Sequence, residues 1–221
     1  MLIYTSTNEL SPQMWIWKIE EEAQFFIDAL APLGFNHDIY PNFKRKIEVL
    51  ASRYLMLQIL GVEIFSTLIV DEFGKLHTRE KELFISISHS FPYTTIVKHH
   101  APVGIDIQCF SDKLLTIQNR FLSDLELQYF LPENPNYDDI PALSLLWNIK
   151  EAVYKAHGKK EIIFKNQIII QKTKPILEAQ LLIENETKTF HIISQIYDEF
   201  SYAIAYVSDT VFCSAFFLQT K

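Results

Sequence analysis

One stretch near the middle of the chain constrains the fold more than any other. At the period of an α-helix, seven apolar side chains between residues 142 and 156 fall on one side. They are Ala142, Leu145, Leu146, Ile149, Ala152, Val153 and Ala156. We therefore predict a helix that buries this face in a core. It should end at Gly158, because glycine readily adopts the left-handed conformation that closes many helices.

The opposite face of this helix carries an unusual set of side chains. They are Trp147, Lys150, Glu151, Tyr154 and Lys155. One interpretation is a solvated surface on which Glu151 and Lys155, four residues apart, form an ion pair. The other is a functional site, in which a carboxylate between two lysines binds a metal ion or accepts a proton while the lysines contact phosphate. The aromatic neighbours favour the second interpretation, because a solvated face seldom carries them beside its charges.

Length and charge limit the classes of protein to consider. The chain has 221 residues, of which 48% are hydrophobic, so it can bury a sizeable core. Its 20 Lys and Arg against 27 Asp and Glu give a net charge of −7. This excludes a nucleic-acid-binding protein whose affinity comes from overall positive charge. A phosphate ligand must therefore be bound by a local cluster of cations.

The sequence also favours a soluble, reducing environment. No stretch approaches the ~20 apolar residues of a membrane span, and the first residues lack a signal-peptide pattern. We expect a cytoplasmic protein with no membrane partner. Cys109 and Cys213 lack metal-ligand spacing, which fits a reducing compartment, although a bridge between them stays open.

Two predicted strands carry polar side chains suited to a binding site. ELFISISHS, residues 82–90, alternates and ends in Ser88 and His89. In VGIDIQCF the side chains of Asp106 and Gln108 share one face with Gly104, which would allow a ligand or another backbone to approach closely. Paired oxygen donors of this kind suit Mg²⁺. Taken singly, each strand also fits polar residues that merely face solvent.

A second predicted helix begins with a cluster of cations. Apolar residues recur at helical spacing over residues 43–57, and Gly61 is expected to close the helix. Lys44, Arg45 and Lys46 lie near its start, where cations oppose the helix dipole. Such an arrangement suggests that an anion binds there, and an exposed basic turn is the alternative.

The remaining patterns indicate an α+β fold with two similar halves. Residues 114–130 read as helical, with Ser123 spaced to cap the helix that carries Glu126. Strand patterns follow at residues 161–171, 176–184, 188–197, 200–207 and 211–219. Residues 84–97 resemble residues 190–207 in reading as strand, polar turn and Tyr-bearing strand. We therefore predict an N-terminal half at 1–105 and a C-terminal half at 106–221.

The order of these motifs is more specific than any one of them. ISHS precedes VGIDIQ, which precedes FLSDLE and then WNIKEAVYK. This order resembles the Sfp-type 4'-phosphopantetheinyl transferases, which read S-H-S, V-G-[IV]-D-[IV]-E, a Phe with a downstream Glu, and W-x-x-K-E-[AS]-x-x-K. The resemblance covers residues 43 to 160, including the basic helix near Arg45 and the turn at Gly74 and Lys75. The W-x-x-K-E-A-x-x-K element is its most discriminating part.

The resemblance implies an activity, a fold and a set of partners. The activity is transfer of the phosphopantetheine arm of coenzyme A to a serine of an apo acyl or peptidyl carrier protein, with release of 3',5'-ADP. The fold implied has two α/β halves related by a pseudo-two-fold axis, with coenzyme A in the cleft between them. We expect a monomer that uses Mg²⁺ and has no nucleic-acid partner.

Site residues are carried over motif by motif. Asp106 and Glu151 would be Mg²⁺ ligands, and Glu151 would also be the base for the serine, directly or through water. Lys155 would neutralise or protonate the departing ADP. The residues that would contact coenzyme A are Arg45, Lys46, Lys75, Ser88, His89, Lys150 and Lys155. Glu126 matches the family's third acid, whose role is less settled.

One position departs from the family pattern. Gln108 replaces the second acid, and although its amide oxygen can still ligate Mg²⁺, it adds no charge. We therefore expect a weaker but competent metal site. Two alternatives remain open: a degenerate homologue that binds coenzyme A or a carrier without transfer, and a structural scaffold that uses the helix face as an interface.

Overall fold

A computed structural model describes residues 2–5, 11–35, 42–79, 83–159, 161–172, 177–184 and 186–207, with the backbone alone for 2–5 and 172. The strand predicted at 211–219 and the second cysteine, Cys213, lie outside these ranges. Within them the protein consists of two antiparallel sheets and their helices, which confirms the α+β class. None of the described helices combines the length and the apolar character needed to cross a membrane.

The first sheet belongs to the N-terminal part of the chain. Its strands are β1 (Leu2–Thr5), β2 (Gln13–Lys18), β3 (Ile69–Val70), β4 (Leu76–His77), β5 (Phe84–Ser90) and β6 (Tyr93–His99), in the spatial order β1-β2-β6-β5-β4-β3. The helices α1 (Ala23–Leu30) and α2 (Phe43–Phe65) cover it with side chains such as Phe26 and Met56. Gly61, predicted to close α2, breaks the helix at a φ of 74°, but a further turn continues to Phe65.

The second sheet follows in sequence. Its strands are β7 (Val103–Cys109), β8 (Ile168–Lys172), β9 (Leu177–Ile183), β10 (Glu186–Ile196) and β11 (Phe200–Tyr206), in the order β7-β11-β10-β9-β8. The helices are α3 (Lys113–Phe121), α4 (Asp124–Phe130), α5 (Ile140–His157) and α6 (Phe164–Gln167). The prediction of a strand from residue 161 is wrong at its start, because the chain first forms α6. The side chain of Gln167 accepts a hydrogen bond from the Ile163 N–H, which closes this helical turn.

Helix α5 is the predicted central helix, and it is buried on more than one side. Its apolar face packs against the second sheet through Ile149, Ala152 and Val153, and Gly158 ends it at a φ of 72°. Strand β7 crosses it so closely that a Cβ on Gly104 would lie 2.0 Å from the carbonyl oxygen of Ala152. Glycine at this position therefore brings β7 against the helix, as its place in the sequence suggested.

Three serines connect the two sheets. The Ser86 and Ser90 hydroxyls accept hydrogen bonds from the N–H groups of Ile105 and Cys109, at 3.2 and 3.0 Å. Because alternate residues of a strand share a face, the pattern SISHS aligns these hydroxyls along β7. The two sequence regions that resemble each other form the antiparallel β5–β6 and β10–β11 hairpins. The division of the chain near residue 105 stays a prediction.

Candidate functional site

A compact ionic cluster forms where β5, β7 and α5 meet. The Asp106 Oδ1 atom accepts hydrogen bonds from the Ser88 hydroxyl and the Lys155 ammonium, each at 2.7 Å. The Lys155 Nζ also donates to the Ser88 Oγ at 3.0 Å. The side chain of Lys155 remains 27% exposed, whereas that of Asp106 is 9% exposed. The cluster thus presents a cation at the edge of a buried carboxylate.

Glu151 lies within the electrostatic influence of this cluster. Burial and then the negative charge of Asp106 raise the pKa of Glu151 to about 7, while Lys155 opposes the rise. A carboxylate with this pKa can accept a proton near neutral pH. The same repulsion between Glu151 and Asp106 would be relieved by a cation bound between them.

The donor set fits a Mg²⁺ ion that shares its coordination with a substrate. Proteins commonly hold Mg²⁺ through one or two carboxylates, with water and phosphate oxygens completing the shell. Asp106 and Glu151 supply two such carboxylates. The Gln108 Nε2 donates to the Cys109 carbonyl at 2.8 Å, so its amide oxygen is the atom left for a metal. Among the described residues, no group of three or more His, Cys, Asp or Glu could hold a metal ion, so water and the substrate would have to supply the remaining ligands.

Beside Lys155 lies a cavity of about 280 Å³ whose polar lining is mostly cationic. Of the residues predicted from the sequence, Arg45, Lys75, His89 and Lys155 line it. Arg53 and Lys159 also line it. The sequence shows that both are charged but not that their side chains reach this cavity. Ser86, Phe73 and Tyr154 contribute polar and aromatic walls. Lys46 is half-buried and does not lie among the lining residues.

Lys75 reaches this cavity from the turn between β3 and β4. Its Nζ donates to the carbonyls of Lys155 and Ala156, at 3.1 and 2.9 Å, at the C-terminal end of α5. Burial lowers the pKa of Lys75, and the negative charge of Asp71 opposes this. Lys75 therefore stabilises the end of the helix that carries Glu151 while it lines the cavity.

His89 lies between a cation and an acid. Its Nε2 contacts the Arg45 guanidinium, and its Nδ1 lies 3.3 Å from the Glu48 Oε2. Glu48 is buried, and the sequence analysis missed it. The only signal was a charged residue on the apolar side of α2, between Ile47 and Val49.

Lys150, which the resemblance assigned to coenzyme A, lies in the core of the second half of the chain. It is fully buried, and its Nζ donates to the Glu126 carboxylate at 2.8 Å and to the carbonyls of Phe164 and Ile168. It does not line the cavity. All three of its N–H donors have partners in the core, so this placement gives no support to a contact with coenzyme A.

Glu126 has a structural environment. The predicted capping box with Ser123 is present. Its other oxygen accepts a hydrogen bond from the Ile170 N–H at 3.0 Å. Trp147, on the same side of α5 as Lys150, packs against Phe121 and Phe164 rather than facing a ligand. The second face of α5 therefore divides into a core end near Lys150 and a pocket end near Lys155.

Two comparisons with known proteins indicate which family this chain resembles. Residues 102–207 match the model of the 4'-phosphopantetheinyl transferase superfamily. A curated protein named 4'-phosphopantetheinyl transferase gsp, from Aneurinibacillus migulanus, is 30% identical over 142 residues. That alignment covers 64% of this chain and 57% of the relative, so the chain spans little more than half of the relative's length.

Residues 102–207, the range that the superfamily model matches, include the strand of Asp106 and the helix of Glu151 and Lys155. They do not include the strand of His89 or the basic helix of Arg45. These matches confirm the resemblance to the 4'-phosphopantetheinyl transferase superfamily that the order of the motifs predicted.

Proposed function

We propose that this protein transfers the 4'-phosphopantetheine group of coenzyme A to a serine of an apo acyl or peptidyl carrier protein, in a Mg²⁺-dependent reaction. The observation that carries the proposal is the meeting of Asp106, Glu151 and Lys155 beside a cation-lined cavity. Transfer of a phosphoryl-type group needs positioning and charge stabilisation more than covalent catalysis. A base and a cation at the edge of a site for phosphates meet that need.

In the reaction, the serine Oγ of the carrier forms a bond to the phosphorus that bears pantetheine. The bond from that phosphorus to the bridging oxygen of the pyrophosphate breaks, and 3',5'-ADP leaves. Glu151 takes the serine proton directly or through water. Lys155 neutralises or protonates the departing phosphate oxygen.

The cavity provides cations for the remaining phosphates of coenzyme A. Arg45, Lys75, His89 and Lys155 line it, and no carboxylate is among its described lining residues. A bound Mg²⁺ would be held by Asp106 and Glu151, with Gln108 as a further oxygen donor, and would supply charge neutralisation at the pyrophosphate. Ser88 fixes both Asp106 and Lys155 and so orients the site.

The direct test incubates the protein with coenzyme A, Mg²⁺ and a panel of apo carrier proteins, and then measures each carrier by mass spectrometry. We expect at least one carrier to gain one phosphopantetheine group. Glu151→Gln should lower the rate about a hundredfold or more, because the variant has no base. Glu133→Gln, an exposed acid in the loop before α5, is the matched control and should behave as the wild type.

The degenerate homologue gives a different result. Such a protein would bind coenzyme A but modify no carrier in the panel, with or without Mg²⁺. That result would disprove transfer and leave binding as the function.

A further inference from the structure

The pocket histidine has a buried partner that the motifs do not contain. Glu48, on α2, is 7% exposed. Its Oε2 lies 3.3 Å from His89 Nδ1, and its Oε1 accepts the Phe91 N–H at 3.1 Å. Both oxygens of this carboxylate therefore hold the end of β5, one through a side chain and one through the backbone.

The partners of Glu48 fix the state of its charge. Burial raises the pKa of Glu48, but the hydrogen bonds from His89 and the Phe91 N–H and the positive charge nearby, including Lys44, together bring it below the usual value. Glu48 is thus an anion that accepts hydrogen bonds only. Its contact with His89 requires a proton on Nδ1. The His89 Nε2 then accepts a hydrogen bond from the Arg45 guanidinium, which can only donate.

A hydroxyl network holds the same two elements together one turn further along. The Ser52 hydroxyl donates to the Glu48 carbonyl at 2.7 Å and lies 2.7 Å from the Thr94 hydroxyl. Thr94 in turn donates to the Ser88 carbonyl at 3.4 Å. Ser52 and Thr94 are both buried. The position of Glu48 relative to β5 is therefore set by packing and by buried hydrogen bonds.

We propose that Glu48 is a positioning residue that fixes His89 by its Nδ1, so that His89 Nε2 accepts a hydrogen bond from the Arg45 guanidinium and holds it at the cavity, where the guanidinium binds one phosphate group of the substrate. This inference rests on the proposed function for the identity of the substrate, coenzyme A. The pairing itself depends only on Glu48, His89 and Arg45. Glu48 does not touch the substrate, because it reaches the cavity only through His89.

The test is a double-mutant cycle on coenzyme A binding, measured by calorimetry without a carrier. Glu48→Gln keeps the shape of the side chain but leaves a single acceptor oxygen for His89 and Phe91. We expect it to weaken coenzyme A binding about tenfold, the loss typical of one hydrogen bond to a charged group. In a His89→Ala background, Glu48→Gln should change the affinity less than about twofold, because the two residues act through one contact.

Kinetics and a matched control add to the cycle. In transfer assays, Glu48→Gln should raise the KM for coenzyme A by the same factor and leave kcat within about twofold. Glu63→Gln, an exposed acid on the same helix, should leave affinity unchanged. An effect of Glu48→Gln that persists in the His89→Ala background would overturn the positioning role.

A measurement on the wild type covers the case in which Glu48→Gln fails to fold. Nitrogen-15 correlation spectra of the histidine rings, with His89 assigned by its loss in His89→Gln, should show a proton on Nδ1. An unprotonated Nδ1 would disprove the inference. If coenzyme A binds with the expected cycle but no carrier is modified, the proposed transfer fails while the role of Glu48 in binding stands.

Discussion

Two lysines of α5, five residues apart, form ion pairs of nearly equal length in opposite environments. Lys150 lies 2.8 Å from Glu126, with side chains 0% and 4% exposed. Lys155 lies 2.7 Å from Asp106, with side chains 27% and 9% exposed. Burial lowers the pKa of Lys150, and Glu126 opposes this through its charge and hydrogen bond.

The difference shows that burial and the number of partners, more than distance, separate a pair enclosed in the core from one that a ligand could reach. Lys150 uses its donors on Glu126 and two carbonyls, so its contacts are complete without a ligand. Lys155 lines a cavity and can exchange a contact for a phosphate oxygen. Because the Lys155 side chain is partly exposed to solvent, this exchange should cost less free energy than it would in the core.

The largest expected effect comes from breaking the buried pair. Lys150→Met should lower the free energy of unfolding by about 3–5 kcal/mol, because the charge of Glu126 is left without its cation. Urea denaturation measures this change. Adding Glu126→Gln should restore part of the loss, and coenzyme A affinity should stay near wild type wherever the variant is folded. If Lys150→Met were as stable as the wild type but did not bind coenzyme A, Lys150 would have to contact the ligand.

Breaking the partly exposed pair of Lys155 and Asp106 should affect activity instead. Lys155→Met should lower the transfer rate about 10²–10³-fold, the usual loss on removal of a group that stabilises developing charge. Its cost in unfolding free energy should be smaller than that of Lys150→Met, because Lys155 is partly exposed and the Ser88 hydroxyl still bonds Asp106. Steady-state kinetics and urea denaturation on one preparation compare the two effects. If Lys155→Met lowered stability as much as Lys150→Met and left the transfer rate unchanged, the two lysines would not differ in role.

The third prediction concerns Glu151 and the dependence of stability on pH. Its raised pKa means that the folded, metal-free protein holds a proton that the unfolded chain releases near pH 4.3. The contribution of Glu151 to stability should therefore fall as pH rises from about 4.3 to about 7. In EDTA, Glu151→Gln should be more stable than the wild type at pH 8, by on the order of 2 kcal/mol, and should differ little at pH 4.

The two proteins should also differ in their response to metal. Adding Mg²⁺ at pH 8 should stabilise the wild type more than Glu151→Gln. Equal stabilisation by Mg²⁺ would mean that Glu151 is not a ligand.

The smallest expected effect is at Gln108. Gln108→Glu restores a second charged oxygen donor on the strand of Asp106, so the Mg²⁺ concentration for half-maximal transfer should fall about tenfold. Gln195→Glu, on the exposed surface of β10, controls for the added charge. An unchanged Mg²⁺ dependence would show that position 108 does not contribute to metal binding.

Much of the site was predictable because its residues follow local periodicities. The two-residue period of β5 and β7 placed Ser88 and Asp106, and the helical period of α5 grouped Glu151 with Lys155. The order of the motifs then indicated the family. The same periodicity could not separate Lys150 from Lys155, because both occupy the face away from the apolar stripe.

Glu48 and α6 were missed for related reasons. A lone acid on an apolar helix face has no local signature, and its meaning depends on His89, 41 residues away. The segment before β8 has a strand-like composition. It forms a helical turn whose Phe164 carbonyl accepts a hydrogen bond from Lys150, on another helix.

By itself the sequence determined most of the elements, the class of fold and most of the candidate site residues, because backbone periodicity and glycine conformation act over a few residues. Only the tertiary structure decided which charges were buried and which remained available. Gly104 brings β7 against α5, and Asp106 thereby comes to Lys155. Packing by distant parts of the chain then encloses Lys150 in the core and leaves Lys155 beside a cavity.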